Sequence, residues 1–324
     1  MSQRKKVLGI GAPRFATEEF TALKAVADIH WFVPDGHPQV IREVKRLCEE
    51  HGPFDAAYVL FGTARYGPFT EEMLRPLFPG CGLFASGGAG YDDIPTKFLA
   101  ENGAYAANTP TAVTNATADM ALFLTLAVLR NTSQVEANCR AGRWRDDLEL
   151  NEDPFGKTFG IFGMGKIAKA TAKKVQGTGM KEEKSLDVSY VTEDELLASS
   201  DVLSLHCPLT PETREWFNAE RIAKLKHGAF FVNTARGAIV DEAALIQALE
   251  SGKIKRAGLD VFVGEPNPNP WFLQSNQVTV QPHWGAFTTG TIYVGECQVL
   301  DNVRTFLETG RPRYPVNKPK GTEA

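Results

Sequence analysis

A six-residue run, Gly163-Met164-Gly165-Lys166-Ile167-Ala168, has the residue types that can seat a dinucleotide. It follows the apolar stretch TFGIFG and opens a segment, Ile167–Val175, that reads as a helix. In this GxGxxA pattern the first glycine makes a tight turn and the second lets the backbone approach a pyrophosphate. The small third residue lets helix pack on strand, and the helix N-terminus attracts phosphate. The strand–turn–helix setting favours dinucleotide binding over a merely glycine-rich turn. A second GxG, Gly9-Ile10-Gly11, is followed by Pro13 and Arg14 with no small residue in third place, and reads as a plain turn. The pattern also asks for an acid about 20 residues on, closing the next strand. Glu183 has that count, but QGTGMKEEKSLDV contains no apolar run to form the strand, so Glu183 is not assigned to a ribose.

The scaffold around these residues alternates strands and helices. In the first third, KKVLGIG, DIHWFV, AAYVLFG, Gly82–Ala85 and Ala104–Ala107 read as strands, with helices at Thr17–Val26 and Pro38–Glu50. A long helix over Asn115–Arg130, extending towards Ala141, leads into a polar loop, Gly142–Lys157. A second series starts at Thr158, with strand readings at TFGIFG, DVLSLHCP, GAFFVNTAR, AGLDVF and QVTVQPH, a helix begun by Asp241, and a final helix over Thr288–Glu308. Such alternation predicts parallel sheets with crossover helices.

Three ordered segments then stand out: NTARG (Asn233–Gly237), GLDVFVGEP (Gly258–Pro266) and QPHWG (Gln281–Gly285). In this order and spacing the chain resembles the NAD(P)-dependent D-2-hydroxyacid dehydrogenase family over nearly its whole length. It looks like the glyoxylate/hydroxypyruvate reductases, which carry no regulatory domain. The resemblance implies an α/β fold of two Rossmann-like/flavodoxin-like parallel-sheet domains, the cofactor domain inserted into the substrate domain. Residues 1–110 with 289–324 would bind substrate, and 111–288 would bind NAD or NADP. It further implies a homodimer.

By the same resemblance Arg236, Glu265 and His283 form a catalytic triad. Reducing a 2-oxo acid needs hydride at the carbonyl carbon and a proton at its oxygen. A histidinium is a suitable acid near neutral pH. A carboxylate beside it favours the charged ring and fixes its tautomer. Arginine offers a planar fork for the substrate carboxylate. Gly88-Ala89-Gly90 matches the family's carboxylate-binding turn, where small residues expose successive backbone N–H groups. His283 and Arg236 are also substrate contacts. The cofactor contacts implied are Gly163, Met164, Gly165, Lys166, Ile167, His206, Cys207, Pro208, Thr213, Thr234, Ala235, Asp260, His283, Gly285 and Thr117. Asp119 stands where the family more often has Glu. Against family spacing, Gly165 to Val191 is short by roughly a dozen residues. Additional residues are therefore expected between Met180 and Glu183, and preference between NAD and NADP stays open. Phe61, Tyr66, Tyr91, Trp284 and Phe287 lie near the family's site segments and could line an apolar pocket or pack an interface. A 2-oxo acid with an aliphatic or aromatic side chain is favoured, with glyoxylate or hydroxypyruvate as the alternative.

Composition agrees with a globular protein of 324 residues, 43% hydrophobic and 23% charged. The net charge of −4 shows no basic excess, which argues against a nucleic-acid partner. Five scattered cysteines without a CxxC pair argue against a disulfide framework or a metal site, and for a reducing, cytoplasmic setting. The longest apolar run, Met120–Leu129, covers about half a membrane span and reads as a buried helix. Two other readings compete: a nicotinamide-sensing corepressor-like binding protein, and a phosphoglycerate dehydrogenase-like enzyme.

Overall fold

The computed structural model describes residues 4–60, 67–180 and 189–321. The chain forms two compact units, Met1–Val113 with Phe287–Ala324, and Thr114–Ala286.

The first unit runs β1 (Lys5–Ile10), α1 (Thr17–Val26), β2 (Ala27–Phe32), α2 (His37–His51), β3 (Ala56–Val59), α3 (Glu71–Leu74), β4 (Leu83–Ser86), α4 (Thr96–Glu101) and β5 (Tyr105–Ala107). The five strands are parallel, in the order β2-β1-β3-β4-β5. AAYV and LFAS are buried at every position, as strands covered on both faces must be. On one face Val40, Val44 and Leu47 of α2 join Leu8, Ile10, Met73 and Phe84. On the other, Phe20 and Leu23 of α1 meet Val7, Tyr58 and Leu83, together with Val299, Leu300 and Val303. Those last three belong to the chain's final helix, α12 (Thr289–Thr309), which returns to complete this core.

The second unit comprises α5 (Thr114–Arg130), α6 (Thr132–Arg140), β6 (Phe159–Phe162), α7 (Lys166–Gln176), α8 (Glu193–Ser199), β7 (Val202–Leu205), α9 (Ala219–Lys224), β8 (Ala229–Asn233), α10 (Glu242–Glu250), β9 (Ile254–Leu259), α11 (Pro270–Gln274) and β10 (Val278–Val280). Its strands are also all parallel, ordered β10-β9-β8-β7-β6. The apolar run in α5 is a core helix, as its sequence suggested: Leu124, Val128 and Leu129 pack with Phe159, Val202 and Phe230. Among the described residues no helix is long and apolar enough to cross a membrane.

Three local differences from the sequence reading have physical causes. The long helix does not continue past Arg130, because Asn131 takes a left-handed conformation (φ 51°) and α6 starts afresh at Thr132. β9 begins three residues before the expected AGLDVF, at Ile254. Arg256 masked it: the side chain is buried in the strand and donates to the Val128 carbonyl at 3.2 Å. α8 lies where the sequence reading has no helix, and it starts on a capping box in which Thr192 and Glu195 satisfy each other's backbone amides. Among the described residues β6 is the last strand on its side of the sheet. Residues 181–188, with Glu183 and the expected insertion after Met180, lie outside the described residues.

Candidate active site

In the second unit the carboxyl ends of β8 and β9 and the turn after β10 bring the three motif segments together. β8 ends at the buried Asn233, whose side chain governs the next three residues. Its Oδ1 accepts from the Ala235 amide at 2.9 Å, and its Nδ2 donates to the Arg236 carbonyl at 2.9 Å. The turn is pressed against the next segment at Gly237. A Cβ there would lie 2.0 Å from the Phe262 carbonyl carbon, so only glycine allows this approach. Arg236 donates from Nη1 to the Ala235 carbonyl at 2.7 Å.

Glu265 accepts the Phe262 amide on Oε1 and pairs with His283 Nδ1 on Oε2, both at 2.8 Å. Burial works against its charge, but the hydrogen bond and charge of His283, the Phe262 amide and the Arg236 guanidinium outweigh burial. The carboxyl is held below its ordinary range. His283 itself sits at φ 54°, a strained conformation for a residue with a Cβ. Its backbone is pinned there by Asp260: the His283 amide donates to the Asp260 carbonyl at 2.7 Å, and the Trp284 and Gly285 amides to Oδ1 and Oδ2 at 2.7 and 2.9 Å. Asp260 immediately follows β9 and is buried; burial, the largest influence, raises its carboxyl above the ordinary range although the two amides pull the other way. With Nδ1 committed to Glu265, Nε2 is the imidazole nitrogen left for a reacting group. Arg236, Glu265 and His283 are thus assembled in one unit, around a fixed imidazole.

The fingerprint has the shape a dinucleotide needs. Gly163 takes φ +95°, and a Cβ on it would meet the Cys207 amide nitrogen at 2.8 Å, so the turn packs directly on the segment after β7. A Cβ on Gly165 would meet nothing within 4 Å, which leaves an open approach to the amides at the start of α7. Ala168 is fully buried, as the packing role requires. Met164, Lys166 and Ile167 surround this helix start, partly or fully exposed. The Thr234 hydroxyl at the end of β8 is buried with no hydrogen-bond partner among the described residues. An orphaned hydroxyl after β8 and an open glycine turn after β6, both at carboxyl ends of one sheet, fit a polar ligand such as NAD or NADP. His206 bonds Ser204 Oγ at 2.9 Å, and burial pushes its imidazole down to about 4, so it is neutral near pH 7. Thr213 is used within its own loop, donating to the Pro208 carbonyl at 2.7 Å. Pro208 is exposed, and Thr117 is buried on α5. Asp119 pairs with Lys174 of α7 at 2.7 Å, so the shorter acid has found a structural partner.

In the first unit the expected anion turn is narrower than its sequence suggested. The Gly88 amide donates to Thr109 Oγ1 at 2.8 Å and is not available to a ligand. The Ala89 carbonyl accepts from Asn108 Nδ2 at 2.8 Å. The amides of Ala89 and Gly90 remain as candidate donors. Just before them, at the end of β4, the buried Ser86 hydroxyl has no partner among the described residues. The sequence reading missed Ser86, because one serine closing an apolar strand gives no signal in a single sequence. Of the proposed aromatic lining, Tyr91, Trp284 and Phe287 are 41%, 51% and 39% exposed. Phe61 and Tyr66 lie outside the described residues.

Comparisons with known proteins place the chain in a family. Residues 122–285 match the family model described as "D-isomer specific 2-hydroxyacid dehydrogenase, NAD binding domain". A Schizosaccharomyces pombe protein named as a 2-hydroxyacid dehydrogenase is 44% identical over 334 aligned positions, covering 99% of this chain and 98% of that one. The 4-methyl-2-oxopentanoate reductase A of Aspergillus oryzae is 37% identical, covering 93% and 94%. Among solved structures, a glyoxylate reductase from Paecilomyes thermophila superimposes with a TM-score of 0.89 at 36% identity, over 97% of this chain and 98% of that one. The chain belongs to the D-isomer specific 2-hydroxyacid dehydrogenases, oxidoreductases that work with a nicotinamide dinucleotide.

Proposed function

We propose that the protein reduces a 2-oxo acid to the D-2-hydroxy acid, reversibly, with His283 as the acid/base. The observation that carries this reading is the 2.8 Å bond between His283 Nδ1 and Glu265 Oε2, which leaves Nε2 to serve the substrate. A nicotinamide dinucleotide, when bound, supplies the hydride. His283 Nε2 gives its proton to the carbonyl oxygen as the carbonyl carbon becomes tetrahedral. The Glu265 carboxylate stabilises the imidazolium before transfer and keeps the ring in one tautomer. Arg236 holds the substrate carboxylate and polarises the carbonyl. Ala89 and Gly90 are proposed as substrate contacts too, through their backbone amides. Thr234, Gly163 and Gly165 hold the cofactor, with Met164, Lys166, Ile167, His206, Cys207, Ala235 and Gly285 beside them. Residues 1–110 with 289–324 form the substrate-binding domain and 111–288 the cofactor domain.

The substrate side chain is aliphatic or aromatic. The exposed rings of Tyr91, Trp284 and Phe287 support this, as does the name of the Aspergillus oryzae relative. The glyoxylate reductase likeness supports the smaller alternative. A panel of 2-oxo acids assayed with NADH and NADPH tests the reading; oxidation of neither cofactor by any of them would end it. The protein is proposed to be a cytoplasmic homodimer. Light scattering at micromolar concentration should return twice 35.5 kDa.

A further inference from the structure

Glu265 stands on a short segment, residues 261–266, that has left β9 and belongs to no helix or strand. Packing holds this segment at Phe262, which is buried. It holds it no further: the next side chain, Val263, is 42% exposed, and Gly264 follows at φ +76°. Beneath lies a small cavity lined by Asn233, Gly237, Leu245, Phe262 and Phe272, so part of the contact that packing would supply is missing. Gly237 stops the segment from coming closer, but a steric stop cannot hold it in place.

One bond does hold it. The Val263 amide donates to Glu242 Oε1 at 3.2 Å. Glu242 is in the first turn of α10, and Leu245 and Leu249 of that helix pack with Leu259 and Phe272, so the carboxylate has a rigid base. An acid in a first turn is ordinarily explained by the helix's own unpaired amides. Here Asp241 is the cap, its Oδ1 accepting the Ala244 amide at 3.0 Å. Glu242 is half-buried and bonded instead to the Glu265 segment. Burial, the larger influence, raises its carboxyl above the ordinary range, although the Val263 amide pulls the other way.

We propose that Glu242 is a positioning residue of the reaction: by holding the Val263 amide it sets where Glu265 stands, and through Glu265 the orientation of the His283 ring. The two carboxylates grip adjacent amides of one segment, Glu265 Oε1 that of Phe262 and Glu242 Oε1 that of Val263. The other oxygen of Glu265 is the one that meets His283. The inference rests on the dehydrogenase reading above.

The test is steady-state kinetics of wild type and of Glu242→Ala, Glu242→Asp and Glu242→Gln, with the 2-oxo acid that wild type reduces fastest. A displacement near 1 Å at a reacting group costs about 10²-fold, and Glu242 acts at one remove, so Glu242→Ala should lower kcat by about tenfold. KM for acid and cofactor should stay within about twofold, since neither touches Glu242. Glu242→Asp keeps the charge but falls one methylene short of the Val263 amide, and should lose as much. Glu242→Gln keeps an accepting oxygen without the charge, and should stay within about twofold of wild type. On a Glu265→Gln background Glu242→Ala should cost less than about twofold, because the carboxylate it positions has gone.

A wild-type kcat in Glu242→Asp, a loss in Glu242→Gln equal to that in Glu242→Ala, or the full loss again on the Glu265→Gln background would overturn the proposal. Glu242→Asp preserves the acid in the first turn, so the Asp and Gln variants decide the matter even where Glu242→Ala fails to fold or Glu265→Gln is too slow to assay. If wild type reduces no acid of the panel, the dehydrogenase reading falls and this proposal with it, an outcome distinct from an active enzyme indifferent to Glu242.

Discussion

The Gly285 amide donates to Asp260 Oδ2 at 2.9 Å, and that same oxygen stands 2.7 Å from where a side chain on Gly285 would begin. Position 285 therefore admits no Cβ unless the carboxylate or the turn moves, and the turn carries His283. Gly285→Ala should lower kcat by about 10²-fold, since a displacement near 1 Å at a reacting group costs about that much. The unfolding midpoint and the wild-type kcat, measured together, separate misplacement from unfolding. A kcat equal to wild type would show that the imidazole does not depend on this turn.

His283→Asn should remove most turnover while leaving cofactor affinity nearly intact. Loss of a positioned general acid costs roughly 10²–10⁴-fold. Turnover assays with fluorescence titration of NADH and NADPH read both effects. Wild-type turnover at every pH would remove His283 from the role of acid.

Glu265→Gln should lower kcat, because the ring proposed as the acid loses the carboxylate that pairs with its Nδ1 and fixes its orientation. The carboxyl of Glu265 is held below its ordinary range, so it stays charged throughout the working range. Its pairing contributes stability above the ordinary carboxylate range, and that contribution is lost as pH falls through the lowered value. Steady-state kinetics, with unfolding midpoints of wild type and variant followed as the pH is lowered, check both effects; a wild-type kcat in the variant would count against the pair.

Arg236→Lys should raise substrate KM and lower kcat together, because lysine keeps the charge but not the planar fork. Steady-state kinetics with the best acid of the panel decide it. Near-normal constants would place carboxylate binding elsewhere, on the Ala89 and Gly90 amides.

That Arg236, Glu265 and His283 would meet in one unit was legible because the chemistry proposed for them restricts residue type. Few residues serve as acid, partner and carboxylate fork, and Arg236, Glu265 and His283 sit in ordered motifs that no structural need would produce alone. The sheets were legible from apolar runs such as AAYV and LFAS. What stayed hidden depends on contacts distant in sequence. The Gly88 amide looked free until Thr109, 21 residues on, was seen to take it. Asp260 gave no sign of the Trp284 and Gly285 amides it accepts, for these lie 24 and 25 residues on. Arg256 hid a strand because charge is the usual mark of a surface. Glu296 gave no hint that it accepts the Arg14, Phe15 and Ala16 amides, for these lie 280 to 282 residues away.

The return of α12 to the first unit has a consequence for synthesis. Val299, Leu300 and Val303 are part of that unit's core, and the Val316 amide donates to the Ala106 carbonyl in β5. A ribosome therefore releases β1 to β5 long before the residues that cover them exist. At about 5–20 residues per second, the 173 residues from Thr114 to Ala286 take roughly 9–35 s to make. During that interval the second unit, contiguous in sequence, can fold, while the first exposes the face that α12 will cover. The nascent chain is thus most dependent on chaperones in its oldest part, and a stop codon a few turns before the end would disable the domain that was made first.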